Sequence, residues 1–161
     1  MSKKLEGERT IEQQINRLTV AKCMDCACFN LRKATRAITQ LYDEALRPMG
    51  LRVTQFSLLI ATMMLGSITV TRLAEIGVMD RTTLTRNLRP LEKKGLIKVV
   101  PGDDHRTRVV TLTTRGKDVL SKAIPLWEKA QSRVVKGLGQ KRWNSLRADL
   151  GEVVLLVSKK T

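Results

Sequence analysis

Apolar residues recur at helical spacing along most of this chain, and only one central stretch shortens to strand-like runs. Thr10 followed by Gln13 is a weak capping box, and Ile11, Ile15 and Leu18 then predict a first helix. A stronger pattern from about Asp25 to Arg47 runs through Leu31, Ala34, Ile38, Leu41 and Ala45, with Asp25 as the expected N-cap and Pro48 and Gly50 as the stop. Thr54 is the expected cap of the next apolar helix, QFSLLIATMML, which Gly66 closes. A short strand is expected at Ile68–Val70 and a short helix at Thr71–Ile76. Asp80 is a natural N-cap for a basic helix and Gly95 its natural end. Pro90 removes a backbone donor inside that helix, which predicts a kink or an early end. Leu96–Val100 and Val109–Leu112 read as strands joined by the charged turn PGDDHRTR. Thr113 then caps a long helix, broken or bent at Pro125 and punctuated by Gly137 and Gly139. A last helix of roughly Gln140–Lys159 carries Trp143, Leu146, Leu150, Val153, Val154 and Val157.

The order of elements between Val70 and Thr113 is the most informative part of this pattern. A short helix, a tight turn, a basic helix and a charged hairpin follow one another, as a winged helix-turn-helix requires. Leu84, Leu88 and Leu91 fall on one helical stripe, while Thr82, Thr83, Thr85, Arg86, Arg89 and Lys93 lie off it and are free to face a ligand. The expected fold is therefore mainly α with a small β-hairpin wing: a winged helix-turn-helix flanked by N- and C-terminal dimerisation helices. Residues 1–50 would supply the first of these helices, 51–116 the DNA-binding region and 117–161 the last helices, all one intimately joined domain. The end helices are apolar on broad faces, suited to a dimer interface or to burial against the domain's own core. The sequence contains no internal repeat and no low-complexity linker.

Charge narrows the partner. The 161 residues hold 30 Lys and Arg against 15 Asp and Glu, a net charge of +15 that favours a polyanion, nucleic acid before an acidic membrane. Aromatics are only 3%, too few for single-strand binding by base stacking. Hydrophobic residues make up 42%, which excludes general disorder. No stretch approaches the ~18 apolar residues of a membrane span. The first residues, MSKKLEGERTIEQQ, place acids and amides where a secretory leader needs an apolar run, so a cytoplasmic location is expected. With no paired acids, no Gly-rich phosphate loop, no Ser/His/Asp set and a single histidine, His105, no enzyme is expected. No cofactor or metal is expected either. A non-specific architectural DNA binder remains the alternative of a different class.

Several fragments, taken in order, resemble the MarR family of bacterial regulators. They are Leu73-Ala74-Glu75, Asp80-Arg81-Thr82-Thr83-Leu84-Thr85-Arg86, Leu91-Glu92-Lys93-Lys94-Gly95-Leu96-Ile97, Asp104-x-Arg106 and Leu112-Thr113-x-x-Gly116. The resemblance implies a homodimer on a pseudo-palindromic operator in double-stranded DNA, one basic helix per half-site in the major groove, acting as a repressor released by a signal. The DNA-binding residues are then Arg81, Thr82, Thr83, Thr85, Arg86 and Arg89 on the helix and Asp104 and Arg106 on the wing. Arg86 and Arg89 offer bidentate donors to guanine, worth roughly 1–3 kcal/mol each in base discrimination. Thr82 and Thr83 suit phosphates, and Arg106, held by Asp104, suits a narrow minor groove. One departure is Gly77, where a large apolar residue is expected, with Val78 where relatives often carry the glycine. The first helix of the motif is expected to end early there.

Cys28-Phe29-x-Leu31 and Ala34-Thr35-Arg36-Ala37-Ile38-Thr39-x-Leu41-Tyr42 resemble the first helix of the organic-hydroperoxide-sensing branch of that family. Cys28 occupies the position of its reactive thiol and Tyr42 that of one tyrosine bonded to it across the dimer, while the other two tyrosine positions hold Arg32 and Val53. Cys26 and Cys28 would sit in the first helical turn, near its positive dipole end. Side chains two apart on a helix diverge, so a bond between them needs local unwinding, and Cys23 or a partner subunit is the easier resolving thiol. Three readings stay open: an oxidant-sensing site at Cys28, Cys26 and Cys23; a metal site, which lacks a fourth ligand; and packing cysteines, with a small aromatic inducer bound elsewhere.

Overall fold

A computed structural model of the chain describes residue 20 and residues 22–104 and 106–158. The expected capping box at Thr10 and the Ile11–Leu18 helix lie outside these residues, as does His105. The chain divides into two compact units, residues 1–40 and 41–161.

In the first unit a turn closed by Asp25 N–H to the Lys22 carbonyl (3.1 Å) and Cys26 N–H to the Cys23 carbonyl (3.2 Å) leads into helix α1, Ala27–Leu46. Asp25 is therefore not the N-cap. It is held in the turn, and Asn30 Nδ2 donates to the Met24 and Cys26 carbonyls instead. All described side chains up to Ile38 are exposed.

The second unit begins in the last turns of α1, where Tyr42 and Leu46 are buried. A 3-10 turn at Arg47–Met49 and Gly50, in the left-handed conformation at φ +62°, end the helix as expected. Helix α2 spans Val53–Leu65. Its start is two residues earlier than a Thr54 cap would allow, because Asp43 Oδ1 accepts the Val53 N–H (2.7 Å) and Gln55 Oε1 the Arg52 N–H (3.2 Å). Strand β1 (Ile68–Thr69), helix α3 (Val70–Ile76), helix α4 (Arg81–Lys93), strands β2 (Ile97–Pro101) and β3 (Arg108–Leu112), and helices α5 (Thr114–Leu138) and α6 (Gln140–Ser158) follow.

The sheet is antiparallel in the order β1-β3-β2, with Ile68 opposite Val110 and Ile97 opposite Leu112. Beneath it Leu46, Leu59, Leu73, Leu84, Leu91, Ile97 and Val110 are almost fully buried, joining α1's end, α2, the two motif helices and the sheet in one core. Of the kink or early end expected at Pro90 and the break or bend expected at Pro125, neither the early end nor the break occurs. Pro90 lies inside α4 and Pro125 inside α5, and both helices continue past them. The buried leucine stripe, Leu84, Leu88 and Leu91, runs past Pro90 and anchors the turn beyond it. In α5, buried Leu120, Ala123 and Ala130 bracket the exposed Pro125 in the same way.

One node joins the end of α4, the sheet and α5. The Thr113 N–H donates to the Leu96 carbonyl (3.1 Å), its hydroxyl to the Gly95 carbonyl (2.7 Å), and that hydroxyl oxygen accepts the Gly116 N–H (3.0 Å). A Cβ at position 116 would lie 2.0 Å from the Leu96 carbonyl oxygen, so only glycine fits.

Candidate nucleic-acid interface

The basic helix, α4, is presented by a tight turn. α3 stops at Ile76 with Gly77 in right-handed conformation, and Val78 takes φ +49°, a left-handed value that β-branched residues rarely adopt. α3 thus ends immediately before the exchanged glycine. Three backbone bonds hold the turn: Gly77 N–H to Leu73 (3.1 Å), Val78 N–H to Glu75 (3.0 Å) and Met79 N–H to Ala74 (2.9 Å).

Asp80 then starts α4. Its carboxylate accepts the Thr83 N–H (2.8 Å) on one oxygen and the Thr83 hydroxyl (2.6 Å) on the other. These bonds hold the Asp80 carboxyl below its ordinary range, the hydroxyl contributing most. Thr83 is consequently half-buried and its hydroxyl proton points into the cap. The Thr85 hydroxyl bonds back to the Arg81 carbonyl (2.7 Å). With Leu84, Leu88 and Leu91 fixing the inner face, Arg81, Thr82, Thr85, Arg86 and Arg89 converge on one shallow outer concavity, all exposed.

On the wing, Asp104 shapes the backbone. Its Oδ1 accepts the Arg106 N–H (2.9 Å), and its carbonyl accepts the Thr107 N–H (2.8 Å) and hydroxyl (2.7 Å). The Arg106 guanidinium is exposed and enters none of the ion pairs among the described residues, which are Arg47–Glu44, Arg72–Glu75 and Lys122–Asp118. Asp104 therefore holds the wing turn on which Arg106 sits and does not clamp the guanidinium itself.

The Cys23, Cys26 and Cys28 thiols are free and exposed. Cys26 precedes the first helical residue and Cys28 lies in the first turn of α1. Both line a shallow depression with Phe29, Arg32, Lys33 and Arg36, and the Lys33 ammonium lies 5.6 Å from the centre of the Phe29 ring. Tyr42 is buried, donates its hydroxyl to Gln131 Oε1, and has its phenol pKa raised by that burial.

Two features escaped the sequence reading. Phe56 and Trp127 stack at 6.0 Å and border an apolar cavity of about 560 Å³ with Ile60, Met64, Ile76 and Ile124. Their separation along the chain left no local signal. Asn87, on α4, is also tied inward, its Nδ2 meeting the Met79 sulfur at 3.8 Å.

The MarR family model matches residues 49–107. The M. tuberculosis regulator MosR, solved in complex with DNA, is 39% identical, with 83% of this chain and 97% of that one covered at a TM-score of 0.77. The chain belongs to the MarR family. It is a DNA-binding transcriptional regulator of that family. A mutant of E. coli MarR complexed with operator DNA is 26% identical at a TM-score of 0.71, covering 76% of this chain and 89% of that one. The regulator SarZ is 29% identical in Staphylococcus saprophyticus, over 71% of this chain and 70% of SarZ, and 32% identical in Staphylococcus epidermidis, over 57% and 63%. The matched family model takes in α2, α3, α4 and β2 and reaches the wing turn, so the concavity of α4 and the Asp104 turn both fall within it. No single helix among the described residues is long and apolar enough to cross a membrane.

Proposed function

We propose that this MarR-family chain acts as a homodimeric repressor on a pseudo-palindromic duplex operator. The observation that carries the reading is the outer face of α4. Three guanidinium groups and an unengaged threonine share one concavity, backed by fully buried leucines and flanked by the exposed Arg106 of the wing. That is a major-groove surface with a flanking contact. Support for the dimer comes from α6, where Leu146, Leu150, Val153, Val154 and Val157 are all more than a third exposed on one chain. The operator reading draws on MosR and E. coli MarR, whose structures contain DNA. Competition between operator and random duplex tests it. A preference of at least ~10³-fold is expected, and equal affinities would leave a non-specific architectural binder.

The release signal we infer is oxidation at Cys28. A hydroperoxide takes the thiolate to a sulfenic acid and leaves as the alcohol. A second thiol then displaces water to form the disulfide. Cys26 lies outside the helix, which eases that second step, and the cations around the depression supply positive potential. Hydroperoxide is expected to release the wild type from operator while Cys28→Ser stays bound, and equal release of both would remove Cys28. The apolar cavity beside Trp127 favours a second reading, a small aromatic inducer, which quenching of Trp127 fluorescence on titration would detect.

A further inference from the structure

α4 is fixed to the protein at both ends, and the far fixing point uses a charged side chain. The Asp80 cap at the start and the Asn87–Met79 contact from mid-helix hold α4 to the turn. At the other end the Lys94 ammonium donates to the Gly50 carbonyl at 2.6 Å, across 44 residues of chain. Gly50 is itself immobilised: its N–H donates to the Arg47 carbonyl (2.9 Å), Leu51 N–H reaches back to Leu46 (3.4 Å), and Leu46 is fully buried. The acceptor is therefore a rigid corner.

The tether has a mechanical reason. Pro90 has no N–H for the Arg86 carbonyl, so the last turn of α4 is joined to the reading turns by one backbone bond fewer. Arg89 stands about 13 Å along the axis from Asp80. A swing of about ten degrees at the cap would carry it about 2 Å, beyond hydrogen-bond tolerance. The buried Leu88 and Leu91 hold the helix against the core, and the Lys94 bond adds a fixed point beyond Pro90 that narrows the remaining freedom of the axis.

We propose that Lys94 is a positioning residue for operator recognition, its charge directed to the protein's own Gly50 carbonyl and not to a DNA phosphate. The inference rests on α4 being the DNA-reading helix. The test measures operator and random-duplex affinity across a salt series for the wild type, Lys94→Gln, Lys94→Arg and Arg86→Ala, each with its thermal midpoint. Lys94→Gln is expected to lose about threefold on operator, the value of one solvent-exposed hydrogen bond. Its random-duplex affinity and its slope of log affinity against log salt stay at wild-type values, and Lys94→Arg recovers most of the loss. A slope shallower by about 0.9 would put the ammonium on a phosphate and overturn the proposal. So would unchanged operator affinity in Lys94→Gln where Arg86→Ala weakens it. If neither variant weakens operator binding, the reading of α4 itself has failed. Should Lys94→Gln melt below the assay temperature, Lys94→Met is read in its place: lost operator affinity at the wild-type salt slope supports the tether, and a slope shallower by about 0.9 contradicts it.

Discussion

Replacing Val78 by glycine is expected to stabilise the fold. Val78 sits at φ +49° in the turn between α3 and α4. A left-handed conformation costs an L-residue roughly 1–2 kcal/mol, and a β-branched side chain belongs at the upper end. Glycine removes that strain. Against it stands the extra freedom glycine gives the unfolded chain, about 0.4–1 kcal/mol. Little packing is lost, because the valine is 65% exposed, so its side chain contributes about a third of a full burial, about 0.5 kcal/mol. The balance is a gain of roughly 0.5–1 kcal/mol, or about 2–3 °C in Tm for a chain of this size. The three backbone bonds of the turn involve no side chain, so the geometry is retained and operator affinity should not move. Thermal unfolding followed by circular dichroism measures the change, with Val78→Ala falling between wild type and Val78→Gly. A lower midpoint for Val78→Gly would refute the reasoning, since it would mean the turn is not strained or the valine packs where the structure leaves it open.

The remaining predictions follow from two other sites. Gly116→Ala places a Cβ 2.0 Å from the Leu96 carbonyl oxygen, a backbone atom that cannot swing aside. A loss of about 1–3 kcal/mol is expected in urea unfolding, and a neutral result would contradict the close approach of β2 and α5. Asp80 has its folded pKa lowered, so the stability it contributes is present above its unfolded value of 3.8 and disappears as pH falls through the lower folded one. The difference in thermal midpoint between wild type and Asp80→Asn should therefore shrink on acidification below about pH 4. A difference independent of pH would show that the charge of the cap is irrelevant.

Most of the DNA-reading unit was legible because its signals are local. The caps made by Asp80 and Thr113 and the stop at Gly95 act within four residues along the chain, and the stripe of Leu84, Leu88 and Leu91 needs only the helical period. What sequence could not supply was set by contacts between distant segments. Asp43 caps α2 from ten residues away and displaces Thr54 from that role. Pro90 and Pro125 are tolerated because buried neighbours on either side outweigh one missing backbone bond each. Lys94 reads as one more surface cation until Gly50 is brought to it, and Phe56 and Trp127 read as unrelated core positions until α2 meets α5.

The central claim is that the guanidinium face of α4 reads bases, and Arg86→Ala on operator and on random duplex tests it most directly. The account predicts that the variant loses about 10-fold or more on operator, the value of one bidentate base contact, and far less on random duplex. Equal losses on both would contradict it, leaving Arg86 as a phosphate contact only.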